Sequence, residues 1–584
     1  MDSLTNRMKR GRRLAKEAAT WTTADVRIAV LGSVALQQFV QQIRLGFYEQ
    51  GIKAAIFEGE FRGLAMAVLD SESEFYRFQP DYVIILPHVS DIHAFPAVMD
   101  DEATVTNMLK DEVAKHERIW NLISQRLPNA QILQGNFVLP AYRALSNLDR
   151  QVPYGMSSYL EALNRSLAQK APSFVNIADI DFLAGNYGRL QWLDETNWYL
   201  TKSPCAPECL PELVNTFIRL MNAMRGKVRK CLVLDLDNTL WGGTVGDLGW
   251  DGIDIDPVTP TGEAYQAFQR YLLALKQRGV ILAVCSKNEE DIAKEAFVRN
   301  PNMVLSLDDI ACFVANWEDK AANIRYIAKE LNIGIDSLVF FDDNPAEREI
   351  VHQYLPEVMV IDVPDDPANY VQALDEVAPF DWPQLTKEDA ARSASYVANK
   401  KRVEMEESFV DYDAYLAALD MSGGFHEIHE SELARFTQLL NKSNQFNLRT
   451  RRYKEGEIRS MQENPSYCLL AGRLRDRFSD YGLISCIILK KEAESCFIDS
   501  WVMSCRVLKR GVEQMAFQSI LAIAKKWQCQ KVTGEYLPTK KNIMVKDFLD
   551  KLGFSIITEL PDGSRKYNYD ISKPFEAKLF INEM

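Results

Sequence analysis

Two aspartates one residue apart, Asp235 and Asp237, follow a run of apolar residues in the stretch CLVLDLDNTLWGG at positions 231–243. Like charges at a strand end repel, so the pair needs a cation between them or a reaction to perform. Strand side chains alternate, so both carboxylates point to the same side. A divalent cation would remove the repulsion and create a phosphate site. Three later stretches supply matching parts. ILAVCSKN places Ser286 and Lys287 at the end of a second apolar run. NWEDKAANI puts Lys320 at a helix start, where a cation and backbone N–H groups hold phosphate oxygens. LVFFDDNPAER ends a third run with Asp342 and Asp343, a second acidic pair for the metal.

The order DxDxT, Ser, Lys, DD, each at a βα junction, resembles the haloacid dehalogenase (HAD) superfamily of phosphotransferases. The resemblance implies roles. Asp235 is expected to attack phosphorus, and Asp237 to act as general acid and then general base. Ser286 and Lys320 are expected to hold the phosphoryl oxygens, and Lys287 and Thr239 to join them in binding phosphate. Asp235, Asp342, the backbone carbonyl of Asp237 and a supporting Asp343 are expected to hold Mg²⁺. Thr239 and Asn238 shape the loop, and Thr239 also reads as a simple helix-start cap. The spacing between Asp237 and Ser286 leaves room for a glycine-rich flap and one helix, but for no cap domain. Such a site is open to a large substrate or is covered by another domain of the chain.

The fuller match of these stretches, with LLNKSNQFNLRTRRY, DRFSDYGLIS and SCRVLKRGVE further on, is similar to the FkbH-like branch, HAD subfamily IIIC. That resemblance implies loading of a glyceryl unit from 1,3-bisphosphoglycerate, or a related acyl phosphate, onto the phosphopantetheine thiol of an acyl carrier protein, in polyketide-type biosynthesis. A thiol relay would draw on Cys285 or Cys505, each open to an acyl-carrying or an inert reading. A plain phosphatase and a non-catalytic assembly protein are the competing readings.

These residues need a multidomain α/β frame. Strands over 231–236, 280–285 and 337–341 alternate with helices over 263–277, 289–298 and 320–331, a parallel-sheet pattern assigned to a capless HAD Rossmannoid domain at 227–380. An α/β domain at 1–226 precedes it, with strands over 26–33, 81–87 and 130–140. It resembles an SGNH hydrolase with Ser33 at the nucleophile position. Asp194 is followed by Asn197 where that family needs a histidine base, and His88 is the remaining candidate. A non-hydrolytic platform or lid is expected. A charged helical linker fills 381–422. An α+β domain at 423–584 resembles the GNAT acyltransferases. Its loop carries Arg506, Arg510 and Gly511 at a helix start, with Val512 and Glu513 where glycine or alanine would favour a CoA pyrophosphate. Carrier-arm binding, CoA binding and a structural domain all remain open. RTRRYK at 449–454 and KRG at 509–511 are candidate docking faces for an acidic carrier protein.

At 584 residues the chain exceeds a single core. Its net charge of −14 argues against a general nucleic-acid binder, despite a basic patch at residues 9–16. No stretch is apolar and long enough to span a bilayer. The ten cysteines lack CxxC pairing, so a cytoplasmic protein with reduced thiols is expected.

Overall fold

The computed structural model describes residues 4–583, apart from 383–384, 386–401, 403–404, 406–408, 410, 444 and 540. The linker expected at 381–422 lies largely outside the described residues. The chain divides into two compact units, one ending at Met224 and the other starting at Arg225, with residues 454–457 grouped with the first.

The first unit is built on five parallel strands: β1 (Val26–Gly32), β2 (Ala54–Glu58), β3 (Tyr82–Leu86), β4 (Gln131–Gly135) and β5 (Val175–Ala178), in the order β2-β1-β3-β4-β5. Tyr82–Leu86 is buried throughout, as a parallel strand covered by helices on both faces must be. The apolar run expected over 130–140 forms a strand only to Gly135. Beyond it, the backbone N–H groups of Phe137 and Leu139 turn to the side chains of Asn164 and Asp181. Gly32 permits close pairing, because a Cβ there would lie 2.5 Å from the Leu86 carbonyl oxygen.

The second unit contains two sheets. In the first, β6 (Cys231–Leu234), β7 (Ile281–Ser286), β8 (Cys312–Ala315), β9 (Leu338–Phe341) and β10 (Met359–Val360) are all parallel, in the order β10-β9-β6-β7-β8. β6 is the middle strand. Leu232 and Leu234 face one core, Cys231 and Val233 the other, and all four are fully buried. Each such side chain contributes roughly 1.5–3 kcal/mol when buried. β8 and β10, short and poorly alternating, escape the sequence pattern.

The second sheet is mixed. β11 (Met421–Glu427), β12 (Tyr467–Arg475), β13 (Asp480–Glu492), β14 (Ser495–Met503), β15 (Lys531–Tyr536), β16 (Ser555–Glu559), β17 (Arg565–Asp570) and β18 (Ile581–Glu583) lie in the order β16-β17-β15-β14-β13-β12-β11-β18. β14 and β15 pair in parallel, while β12, β13 and β14 form an antiparallel meander. The amphipathic helix Val512–Lys526 packs Val512, Ala516, Phe517 and Ile520 into the core of this sheet.

After β6 the chain must leave the sheet and return, and one side chain fixes that excursion. Gln269, fully buried on the helix Pro260–Gln277, donates to the Leu240 carbonyl at 2.8 Å. Its own oxygen accepts the N–H groups of Val304 and Leu305, each at 3.0 Å. Three backbone groups, two of them buried, therefore depend on one amide. Gln269→Leu is expected to lower the stability of this unit by about 3 kcal/mol, read as a lower urea midpoint, since each orphaned buried group costs about 1–3 kcal/mol.

Candidate active site

The C-terminal ends of β6, β7 and β9 converge, as expected for an open parallel sheet. Asp235 follows β6, Ser286 ends β7, and Asp342 and Asp343 follow β9. Lys320 opens the helix Lys320–Glu330, whose N-cap is Asp319. Its ammonium lies 2.7 Å from Asp235 Oδ1 and 2.5 Å from Asp342 Oδ2. Lys320 is 3% exposed and Asp342 0%. Burial disfavours the charge on Lys320, but the two carboxylates outweigh it and hold the amine protonated. Asp342 is pushed up to about 7, first by burial and then by the charge on Asp235. Burial likewise raises Asp343, with Asp235 adding to the effect.

Carboxylate oxygens of Asp235, Asp342 and Asp343 all lie within 4.8 Å of one another. An all-oxygen donor set, crowded enough to raise two of its members, fits a hard divalent cation. The Asp237 side chain stands outside this trio. Its Oδ1 accepts from Trp241 Nε1 and the Val245 N–H, each at 2.9 Å, and its Oδ2 accepts from Asn288 Nδ2 at 2.9 Å. Asn288 Nδ2 also donates to Ser286 Oγ at 3.1 Å, so one buried amide joins the two residues. Neither Asn288 nor Trp241 was expected at the site. Both lie inside the quoted stretches, but only their contacts across the sheet show what they do.

Asn238 adopts a left-handed conformation (φ 53°), and its side chain accepts the Gly243 N–H at 2.9 Å, which turns the flap. The region between Asp237 and Ser286 holds this flap and the helix Pro260–Gln277, with no cap domain.

Several expectations are corrected. Thr239 is fully buried and its Oγ1 faces Asp343 at 3.3 Å, so it supports the acidic pair rather than binding phosphate. Lys287 is turned to Glu347 at 2.6 Å, which neutralises it. Cys285 is fully buried, packed with Cys231, Ala283 and Ala321, and burial drives its thiol well above the ordinary range. It is a core residue and not an acyl carrier. The side chain of Cys505 lies outside the described residues.

In the C-terminal sheet domain, Arg510 is 7% exposed and bonded to the Tyr481 hydroxyl, with Asp476 Oδ2 at 3.4 Å. It is a buried structural cation, not a ligand for a carrier arm. Arg449 is likewise held by Asp499 at 2.5 Å. Neither Arg510 nor Arg449 is therefore free for a docking face. Arg506 Nε donates to Ser504 Oγ at 3.3 Å. Gly511 (φ 86°) is the N-cap of the helix Val512–Lys526, a conformation that favours glycine. Just inside that helix, Glu513 Oε1 accepts the Lys509 N–H at 3.0 Å, and burial raises its pKa.

In the first unit, Ser33 is buried, and no hydrogen bond joins it to a histidine among the described residues. Asp194 caps the helix Glu195–Thr201, and Asn197 Nδ2 donates to the Cys205 carbonyl. His88 stacks on Trp198, and burial pushes it down to about 4. The hydrolase triad is not assembled from these residues.

Two predictions follow from the geometry. Lys320→Met leaves buried carboxylates without their cation, and is expected to cost about 3 kcal/mol in the metal-free protein, partly restored by added Mg²⁺ in thermal melts. Asn288→Ala is expected to slow phosphate release about tenfold or more with the fold intact by circular dichroism, because Asp237 and Ser286 lose their shared tether.

Residues 27–222 match the family described as FkbH, N-terminal domain. A comparison with curated proteins gives no match. Among solved structures, the N-terminal part of the protein BF1531 from Bacteroides fragilis, containing a phosphatase domain and complexed with Mg, is 32% identical, with a TM-score of 0.59. The match covers 66% of this chain and 100% of that one. The ribosomal-protein-S18-alanine N-acetyltransferase from Escherichia coli is 12% identical over 26% of this chain and 97% of its own, at a TM-score of 0.21. The GNAT domain of S. lividans PAT is 15% identical over 25% and 89%, at 0.20. Likenesses of that size carry no argument about chemistry. The Bacteroides protein is different in kind, being matched along its whole length at 32% identity: the chain belongs to the same family as this phosphatase-domain protein.

Proposed function

We propose that the β6–β10 domain is a Mg²⁺-dependent phosphatase centre, and that the whole protein moves a glyceryl-type acyl group from 1,3-bisphosphoglycerate, or a related acyl phosphate, to the phosphopantetheine thiol of an acyl carrier protein. The observation that carries the phosphoryl chemistry is the Lys320 ammonium held between Asp235 and Asp342, with Asp343 beside them. The Mg²⁺ bound in the related Bacteroides phosphatase domain supports the metal assignment. When bound, the ion would offset the negative charge of the carboxylates and of the phosphoryl oxygens. Asp235, Asp342 and Asp343 are the residues to hold it.

Chemical balance assigns the steps. Attack by Asp235 on the acyl phosphorus of 1,3-bisphosphoglycerate would release 3-phosphoglycerate as a free carboxylate and waste its activation. Asp235 therefore acts on the ester phosphate, forming an aspartyl-phosphate while Asp237 delivers a proton to the leaving alcohol oxygen. Water then releases inorganic phosphate and restores Asp235. The acyl phosphate is spent separately. The carrier thiol, once deprotonated, attacks the carbonyl carbon, the C–O bond to phosphate breaks, and a thioester remains. Lys320 stabilises the equatorial oxygens at Asp235. The acyl half of this reading rests on the resemblance of the sequence to FkbH-like proteins. The burial of Cys285 favours this direct attack over a relay through that thiol, and a plain phosphatase is the competing reading.

Intact-mass spectrometry of a phosphopantetheinylated carrier protein, incubated with the enzyme, Mg²⁺ and 1,3-bisphosphoglycerate made in situ, tests the proposal. A glyceryl adduct is expected with wild-type protein. With Asp235→Asn, the carrier is expected to retain a phosphoglyceryl adduct or none. A glyceryl adduct formed by Asp235→Asn would remove Asp235 from the reaction. Phosphate release without any adduct would establish the plain phosphatase.

A further inference from the structure

The carboxylate site is all oxygen, but a second cluster in the C-terminal sheet domain is mostly nitrogen. His426 lies on β11, and His429 and Glu432 sit on the turn that follows. His426 Nε2 is 2.9 Å from Glu432 Oε2, and the two imidazole rings stack at 5.3 Å with 24° between their planes. One donor atom from each of the three residues lies within 4.8 Å of the others. Two donors bound tetrahedrally to one zinc-sized ion at about 2.1 Å stand about 3.4 Å apart, so His426 Nε2 and Glu432 Oε2, now 2.9 Å apart, would part by only about half an ångström to admit it. His429 is exposed, so its ring can turn through the remaining distance.

The carboxylate is already oriented. Arg473 donates to Glu432 Oε1 through Nε at 3.2 Å and Nη2 at 2.7 Å, and the His429 N–H reaches Oε2 at 3.1 Å. Arg473 thus takes one oxygen and leaves the other facing the imidazoles, as an outer-shell partner of a metal-bound carboxylate does. Burial disfavours the charge on Glu432, but hydrogen bonds from Arg473 and His426 outweigh it and hold the carboxyl down at about 2. Gly424 is paired with Arg473 across β11 and β12, and a Cβ on it would meet nothing within 4 Å. An ion pair holds His426 beside Glu432 and the capping of the turn holds His429 there, and together they bring two imidazoles to one carboxylate.

We propose that His426, His429 and Glu432 form a site for a borderline divalent transition cation of the Zn²⁺ class, separate from the carboxylate site, with water completing the coordination. Two nitrogens and one carboxylate oxygen suit such an ion and not Mg²⁺. The reading is independent of the proposed acyl transfer.

Titration of the full-length protein with Co²⁺, followed by its visible absorption, tests the site. Nitrogen-ligated Co²⁺ bands are expected in wild-type protein and in Asp342→Asn. His429→Ala is expected to weaken binding about tenfold or more, and His426→Ala/His429→Ala to abolish the bands. Equal binding by wild-type protein and His429→Ala, bands that persist in the double variant, or bands lost in Asp342→Asn would each overturn the proposal. Because His429 is exposed, its single variant decides the matter even if the double variant misfolds.

Discussion

The ammonium of Lys320, shared between Asp235 and Asp342, is the interaction on which the second unit turns. Three carboxylates gathered at the ends of two adjacent strands would force that edge of the sheet apart or draw protons. One buried cation lets two of them stay close before any metal arrives. The cost of burying Lys320 is met only because both partners are within hydrogen-bond range, and that requires β6, β9 and the helix Lys320–Glu330 to stay in register. Packing on both faces of β6 therefore serves the site as much as the core.

Much of this was legible in the sequence, because the chemistry sits at strand ends and strand ends are marked by apolar runs. Asp235, Ser286, Asp342 and Asp343 fall where the runs stop and Lys320 at a helix start, and the structure sets Lys320 against Asp235 and Asp342 with Asp343 beside them. What the sequence did not show is the direction in which a side chain is pulled by a partner distant along the chain. Lys287 looks like a phosphate ligand beside Ser286, but Glu347, 60 residues on, claims it. Arg510 looks like a loop cation at a helix start, but Asp476 and Tyr481 draw it into the core. Such pairings depend on tertiary proximity and leave no local pattern.

The strands were read with similar limits. Long apolar runs such as those of β1, β3, β6 and β7 announce themselves. β8 and β10 have four and two residues and are defined by the neighbour they pair with. The mixed sheet was visible only in its meander, since the parallel contact of β14 with β15 is made across the helix Val512–Lys526. In the first unit, the Asp194 and Asn197 pair that suggested a degraded catalytic motif proves to be the capping of a short helix, a local role that the same spacing serves equally well.

Glu513 gives the C-terminal sheet domain a character of its own. Its carboxylate is tethered one turn from the loop N–H of Lys509 and is already bonded to it. A free anion approaching this helix start meets a competitor that is part of the same molecule, present at a high effective concentration however dilute the protein. The fold satisfies the loop N–H of Lys509 from within. A ligand that docks beside this helix must either displace Glu513 or be recognised by its uncharged portion.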